Sequence, residues 1–496
     1  MRRSPLVLAA TSLAAFTATL DNTVVAVALR DMQTDLGAGV VALQGVVTAY
    51  TVTLAALLLV GGALVDVLGA KRVLLAGLLV FATASAGCAL ATSPTLLIGL
   101  RAVQGAGASL LLPGGLAVLA LAHEDSVRRR RALGLWAAAG GLAMVAGPVL
   151  GGVLVQAYGW QSVFWVNVPL CVLVAVVIAF APGTPAAGGR LDVASIVLTP
   201  LALGALTYAI VLEGRGARQL PALAALAVAV VAVLLVRRIG ARSLPADLVR
   251  DRRFTGAWVG ALAASLAVFV LMVFLALFLE LVQSLGARSA GLVLLPLPVA
   301  LVVAAPVAGR LRSTALPVAA GLVVAGAGLV ALGVVLREHT GHLTIELLLA
   351  LVGVGVGLTT APVVNAAVDA AGAARTGIAA ATVTAARELG GVIAVAGLGA
   401  LAVRRLTARL SDRLTEGGVP AARKPPLLDL LLQADTTAVR RQLLHDIGVE
   451  KTLQLGSGLA DTASASFVTS TRLVLVVAGA LLILTAGVCA RLLRLR

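Results

Sequence analysis

Charge is scarce in this chain. Only 12% of its 496 residues are Asp, Glu, Lys or Arg, against 60% hydrophobic residues and a mean hydropathy of +1.06. A soluble domain carries about 25% charged residues, so a water-facing surface over the whole chain is excluded. Cysteine is scarce too. Cys88, Cys171 and Cys489 are odd in number and lie within apolar runs, which argues against a disulfide framework or a metal site. The four histidines, His123, His339, His342 and His445, fall in predicted loops, and His339 with His342 offers too sparse a ligand set to hold a metal. Aromatic residues make up 3%, which argues against an aromatic cage for a cation. No clustered nucleophile, base or metal ligands mark an enzyme, no glycine-rich phosphate loop marks a nucleotide site, and no cofactor is expected.

Apolar length is what the chain has in quantity. Stretches of about 20 apolar residues recur from end to end, each long enough to cross a hydrocarbon core of about 30 Å as a helix. The opening MRRSPLVLAATSLAAF imitates a twin-arginine leader, but the apolar segments behind it favour a retained first helix. The pattern predicts an all-α polytopic membrane protein with fourteen spans, the first near 7–29 and the last near 468–490. Trp160 and Trp165 read as interface anchors.

The net charge of +16 is better read against the membrane than against nucleic acid, which is not an expected partner. On one side, the loops hold Lys71, Arg72, the run Arg128 to Arg131, Arg237, Arg238, Arg250, Arg252 and Arg253; the short loops on the other hold Arg30, Arg215, Arg218, Arg288 and Arg337. Short Lys- and Arg-rich loops stay in the cytoplasm, so both termini are expected there, in the cytoplasmic membrane. The basic segment 403–467 then falls outside, as long loops do regardless of charge. Its stretch LLDLLLQADTTAVRRQLLHDIG has helical spacing and is expected to form amphipathic helices on the outer surface.

Two irregular stretches, APGTPAAGGRLD at 181–192 and RRIGARSLPADLVRDRRF at 237–254, enclose two spans that read as an insertion. The expected organisation is an N-terminal six-helix half (1–182), an inserted helix pair with its linkers (183–254), and a C-terminal six-helix half (255–496) that includes the outer segment. The halves echo one another: RAVQGAGASLLLPGG at 101–115 is similar to LVGVGVGLTTAPVV at 351–364, and GGALVDVLGAKR has a degenerate partner in VAGRLRST. Parallel repeats around a central site are one plan of membrane transporters.

A few charges sit inside the spans. Asp21, in LDNTVVAVAL, lies in the first; an ionised carboxylate there is costly, which suits a group that takes up and releases a proton. The other reading is that Asp21 only accepts hydrogen bonds from a neighbouring helix. Thr17, one turn earlier, shares its face and is expected to line a polar cavity with it. Arg101 in span four cannot shed its proton and needs an anion or carbonyls, either to modulate an embedded acid or as a structural tie. In AARELGG, Arg387 and Glu388 fall near mid-membrane at about 1.5 Å per residue. Glu388 reads as a second proton site, as a contact for a cationic substrate, or as a charge neutraliser. Glu280, at the outer end of span nine, is a weaker candidate within reach of interfacial water.

Five motifs in order carry a resemblance: LDNTVVAVAL, GALVDVLGAKR, LIGLRAVQGAGAS, GPVLGG at 147–152 and GWQSVFWVNVP at 159–169. Over nearly its full length the chain resembles the major facilitator superfamily, in particular its fourteen-span drug:proton antiporter branch. The resemblance implies two six-helix halves with two extra helices between them. It ties Arg101 to proton transfer and Gly105 to the same fourth-span motif. It makes Gly147, Pro148, Gly151 and Gly152 a hinge and seal found in exporters, and gives Gly62, Asp66, Gly69, Lys71 and Arg72 the part of a latch between halves. Three departures stand out: Val67 replaces an arginine of the loop motif, Ala143 a frequent glycine, and Glu388 a frequent amide. The implied function is proton-coupled antiport exporting amphipathic organic compounds, such as drugs, dyes or an antibiotic, by alternating access. A proton-coupled transporter of a small polar metabolite is the alternative. The expected partners are the small-molecule substrate, protons and the lipid bilayer, with no obligate protein partner.

Overall fold

The structure, a computed structural model of the whole chain, describes residues 4–181, 251–416 and 449–494 apart from isolated positions, with short helical pieces at 204–209 and 224–232. Its long elements are α1 (Ser4–Leu36), α2 (Val40–Leu68), α3 (Ala70–Ala89), α4 (Pro94–Leu121), α5 (Ser126–Tyr158) and α6 (Ser162–Ala179). After the intervening segment come α7 (Arg252–Val282), α8 (Ser289–Ala308), α9 (Ala315–Val335), α10 (His342–Ala371), α11 (Thr376–Glu416) and α12 (Val449–Leu492). Helix is the form these Ala-, Leu- and Val-rich runs take because hydrocarbon offers no partner to a free backbone N–H or C=O.

Helix ends follow the local sequence. Ser93 caps α4, its Oγ accepting from the Leu96 N–H at 3.3 Å, with Pro94 in the first turn. Asp125 and Asp251 cap α5 and α7 in the same way. Between α2 and α3 the chain turns at Gly69, whose φ of 90° suits a residue without Cβ.

Within each set of six helices the pairing is the same. The first helix packs on the fifth (α1 with α5, α7 with α11), and the fourth on the second and third (α4 with α2 and α3, α10 with α8 and α9). The sixth packs on the first and third (α6 with α1 and α3, α12 with α7 and α9). The glycine echo has a physical cause in this pairing. A Cβ on Gly105 would lie 2.5 Å from the Tyr50 carbonyl on α2, and one on Gly107 would lie 2.6 Å from the Phe81 nitrogen on α3. On α10, Gly353 meets Leu297 of α8 and Gly355 meets Ala325 of α9. Alternate glycines thus let each fourth helix touch two neighbours at backbone distance.

Across the halves, α2 packs on α11 and α5 on α8, with further contacts of α4 to α11 and α5 to α10. Gly134 lies beside Ala305, Gly141 beside Leu301 and Gly291 beside Val149, so α5 and α8 touch along much of their length. Gly62 and Gly377 face one another where α2 meets the start of α11.

The expected fourteen spans are not all seen. Among the described residues, ten helices are long and apolar enough to cross a membrane, or eleven counting α1, which bends by 41° between Val25 and Val27. The α5 helix contributes a shorter apolar stretch, Val149–Tyr158. The inserted pair, expected near 192–212 and 219–236, falls largely outside the described residues. Segment 403–467 is described only at its two ends. Its first part continues α11 to Glu416 and its last part begins α12 at Val449, and these two helices pack together. With 41 residues, α11 runs about 60 Å along its path, twice the hydrocarbon thickness. The stretch LLDLLLQADTTAVRRQLLHDIG, expected to form amphipathic surface helices, lies outside the described residues.

Candidate functional site

Asp21 lies in the interior of the first six helices, 1% exposed, and Arg101 is 0% exposed. Arg101 Nη1 donates to Asp21 Oδ2 at 2.5 Å and to Gln104 Oε1 at 2.7 Å, while its Nε donates to the Val46 carbonyl at 3.3 Å. The other carboxylate oxygen of Asp21 accepts from Gln104 Nε2 at 2.9 Å and from Asn167 Nδ2 at 2.7 Å. Asn167 also donates to Ser85 Oγ, which in turn donates to the Phe164 carbonyl. The Arg101 guanidinium lies 4.3 Å from the Tyr50 ring centroid, and Tyr50 donates its hydroxyl to the Ala18 carbonyl. Five helices, α1, α2, α3, α4 and α6, therefore contribute to one buried polar cluster. Arg101 Nη2 and Asn167 Oδ1 have no partner among the described residues, so the cluster offers more hydrogen bonds than its own members fill.

A second polar locus lies between the halves. A cavity of about 920 Å³, counting its open mouth, is lined by Ala15 and Thr19 of α1, Leu112 of α4 and Trp136, Gly140 and Gly141 of α5. From the other half come Ser265 and Phe269 of α7, Leu301 of α8, Val356, Thr359 and Thr360 of α10, and Thr384, Arg387 and Glu388 of α11. Most of that volume is open to solvent, and the wall is mainly apolar with a few polar groups, the composition of small-molecule sites. Arg387 and Glu388 are half-buried at the wall. Each feels the other's charge, yet neither side chain forms a hydrogen bond or ion pair among the described residues. The Arg387 carbonyl accepts from Ser265 Oγ at 2.7 Å, which fixes the backbone beneath the pair.

The two loci are separate because of helix geometry. Thr19 and Asp21 are two residues apart, about 200° around α1, so one faces the cavity and the other the cluster. Thr17 does not line the cavity with Asp21 as the spacing predicts: it is buried, with its hydroxyl donating to the Leu13 carbonyl. Glu280 is exposed near the end of α7, away from both loci.

The expected latch residues sit at the end of the bundle that carries the basic loops. Asp66 accepts from the backbone N–H of Gly377 at 2.6 Å and of Ile378 at 2.9 Å, at the N-terminus of α11 in the opposite half. Lys71 instead turns to its own half, its Nζ donating to the carbonyls of Ala179 and Ala181 at the end of α6. Arg72 is exposed. A second tie at this end was not anticipated: Arg129 of α5 pairs with Asp369 and donates to Asn365 at 2.9 Å, both on α10. In GPVLGG, a Cβ on Gly147 would collide with Thr23 of α1 and one on Gly151 would lie 3.3 Å from Val24, whereas Gly152 has nothing within 4 Å. Two glycines of this motif thus set the closeness of α1 and α5.

Gln104, Asn167, Ser85, Asn365 and Asp369 were missed as site residues. The signal was present: each is a polar residue inside an apolar run, and Gln104 stands one turn from Arg101.

Comparison with known proteins agrees with this architecture. Residues 11–395 match the model of the Major Facilitator Superfamily. The chain is 35% identical over 393 residues to the methylenomycin A resistance protein of Bacillus subtilis (strain 168), covering 76% of this chain and 83% of that one. It is 32% identical over 430 residues to the multidrug resistance protein Stp of Mycobacterium tuberculosis (strain CDC 1551 / Oshkosh), covering 84% and 79%. Among solved structures, the human organic anion transporter MFSD10 (TETRAN) superposes with a TM-score of 0.60 at 14% identity, over 97% of this chain and 99% of that one, a likeness of fold. With a matching model over most of its length and relatives above 30% identity, the chain is a multi-pass membrane protein that belongs to the major facilitator superfamily.

Proposed function

We propose that this protein is a proton-coupled antiporter that exports amphipathic organic compounds across the cytoplasmic membrane by alternating access. The observation that carries the reading is the separation of two polar loci: a sealed carboxylate bonded to an arginine inside one half, and an open, mostly apolar cavity between the halves. Relatives named for methylenomycin A and multidrug resistance supply the substrate class.

A proton taken up by Asp21 cancels the charge that holds Arg101, and the guanidinium must then find other acceptors. Because Asp21 rides on α1 and Arg101 on α4, protonation acts on the packing of the helices that also present Thr19 and Leu112 to the cavity. The ties of Asp66 and Arg129 close the basic-loop end, which the positive-inside rule assigns to the cytoplasm. The arrangement is then one in which access from the cytoplasm is shut. Exporting a molecule requires these ties to break and re-form in each cycle. A pH difference of one unit supplies about 1.36 kcal/mol and a potential of 100 mV about 2.3 kcal/mol per charge moved.

The test is proton flux in sealed proteoliposomes under an imposed pH gradient, with lipophilic cations added and wild type compared with Asp21→Asn. Discharge of the gradient by a compound only when Asp21 is intact supports the reading. Equal responses of the two proteins remove Asp21 from the coupling. No response across a broad panel favours a transporter of one small polar metabolite.

A further inference from the structure

Arg387 and Glu388 present opposite charges side by side at the cavity wall without neutralising one another through an ion pair. As consecutive residues of α11 they diverge by about 100° around the helix, so each head is free to meet a different group of one bound molecule. Resting on the export reading, we propose that this pair makes the cavity a dipolar recognition site, selective for amphipathic zwitterions that carry an ammonium and a carboxylate.

Charge balance supports this over a single-charge preference. A lone cation in the cavity satisfies Glu388 but approaches a guanidinium that cannot give up its proton; a lone anion satisfies Arg387 but approaches a carboxylate. Only a ligand bearing both signs meets each with its complement and leaves no like charges together. The guanidinium is also suited to hold a carboxylate through two parallel hydrogen bonds. Around the pair the lining includes Thr359, Thr360 and Thr384, whose hydroxyls donate to carbonyls of their own helices, and apolar surface from Phe269 and Trp136, which fits an amphipathic skeleton.

The experiment is equilibrium dialysis of purified full-length protein against three forms of one fluoroquinolone. These are the free zwitterion, its ethyl ester (ammonium only) and its N-acetyl derivative (carboxylate only). Wild type is expected to bind the zwitterion at least about tenfold more tightly than either derivative, a ratio worth about 1.4 kcal/mol. In Arg387→Gln the advantage over the ester disappears, and in Glu388→Gln the advantage over the N-acetyl form disappears. Arg387→Lys, which keeps the charge, restores most of the first. The inference is overturned if wild type binds the ester as tightly as the zwitterion, or if both variants weaken all three probes alike. Loss of lipophilic-cation export alongside an intact binding pattern overturns the export reading alone. Robust export without zwitterion preference overturns this inference alone.

Discussion

Asp21 and Arg101, 80 residues apart in the chain, form a hydrogen-bonded ion pair whose side chains are both at 0% exposure. Such a pair is held in place by mutual need more than by net gain. Its attraction offsets the cost of removing two charges from water, and losing one partner leaves the other exposed to that cost.

Asp21→Ala strands the Arg101 guanidinium. The variant is expected to lose about 3–5 kcal/mol of stability, and the double variant Asp21→Ala/Arg101→Met is expected to lose less than Asp21→Ala alone. Thermal unfolding in detergent measures both. Additive losses would show that the two side chains do not depend on one another.

The glycines of GPVLGG separate cleanly. Gly147→Ala drives a methyl group into Thr23, and the α1–α5 contact must open to admit it; overpacking of this kind costs about 1–3 kcal/mol. Gly152→Ala meets open space and is expected to leave stability and transport unchanged. Parallel thermal melts and efflux assays on the two variants decide whether packing, rather than motif membership, sets the sensitivity.

Asp66 and Arg129 tie the two halves together at the basic-loop end, and the proposed export cycle has these ties open. Removing a helix cap costs about 1 kcal/mol, so Asp66→Ala is expected to raise the population open at that end about fivefold. Arg129→Ala is expected to act more weakly, because Asp369 is half-exposed and such pairs contribute at most about 1 kcal/mol. A cysteine at Thr384, on the cavity wall, reports the opening. Its labelling by an impermeant maleimide in inside-out vesicles is expected to speed up in both variants, in a background where Cys88, Cys171 and Cys489 are replaced.

Glu280 lies outside both polar loci, and Glu280→Gln is expected to leave transport rates within about twofold of wild type, as surface substitutions away from special features do. A large loss in vesicle efflux would bring the end of α7 into the transport path.

The sequence carried the helices with unusual directness. In hydrocarbon a helix is the one local way to satisfy every backbone group, so an apolar run of sufficient length already implies its form. The internal repeat was fainter, because it is written in glycine spacing: Gly105 and Gly107 correspond to Gly353 and Gly355 only once their contacts with the second and third helices of each half are seen. Asp21, Arg101, Arg387 and Glu388 were visible individually as charges in apolar surroundings.

Which charges meet was not visible. Asp21 and Arg101 come together across α1 and α4, while Arg387 and Glu388 line a cavity shared with Thr19. That division depends on the rotation of α1 about its axis. A two-residue step turns a side chain from one face to the other, and the rotation is set by packing against α2, α4, α5 and α6. By itself, then, the sequence determined a bundle of membrane helices with a few costly charges inside it. The tertiary structure decided that one acid is sealed against an arginine and the other stands open beside one, because only packing brings distant faces together or holds neighbouring heads apart.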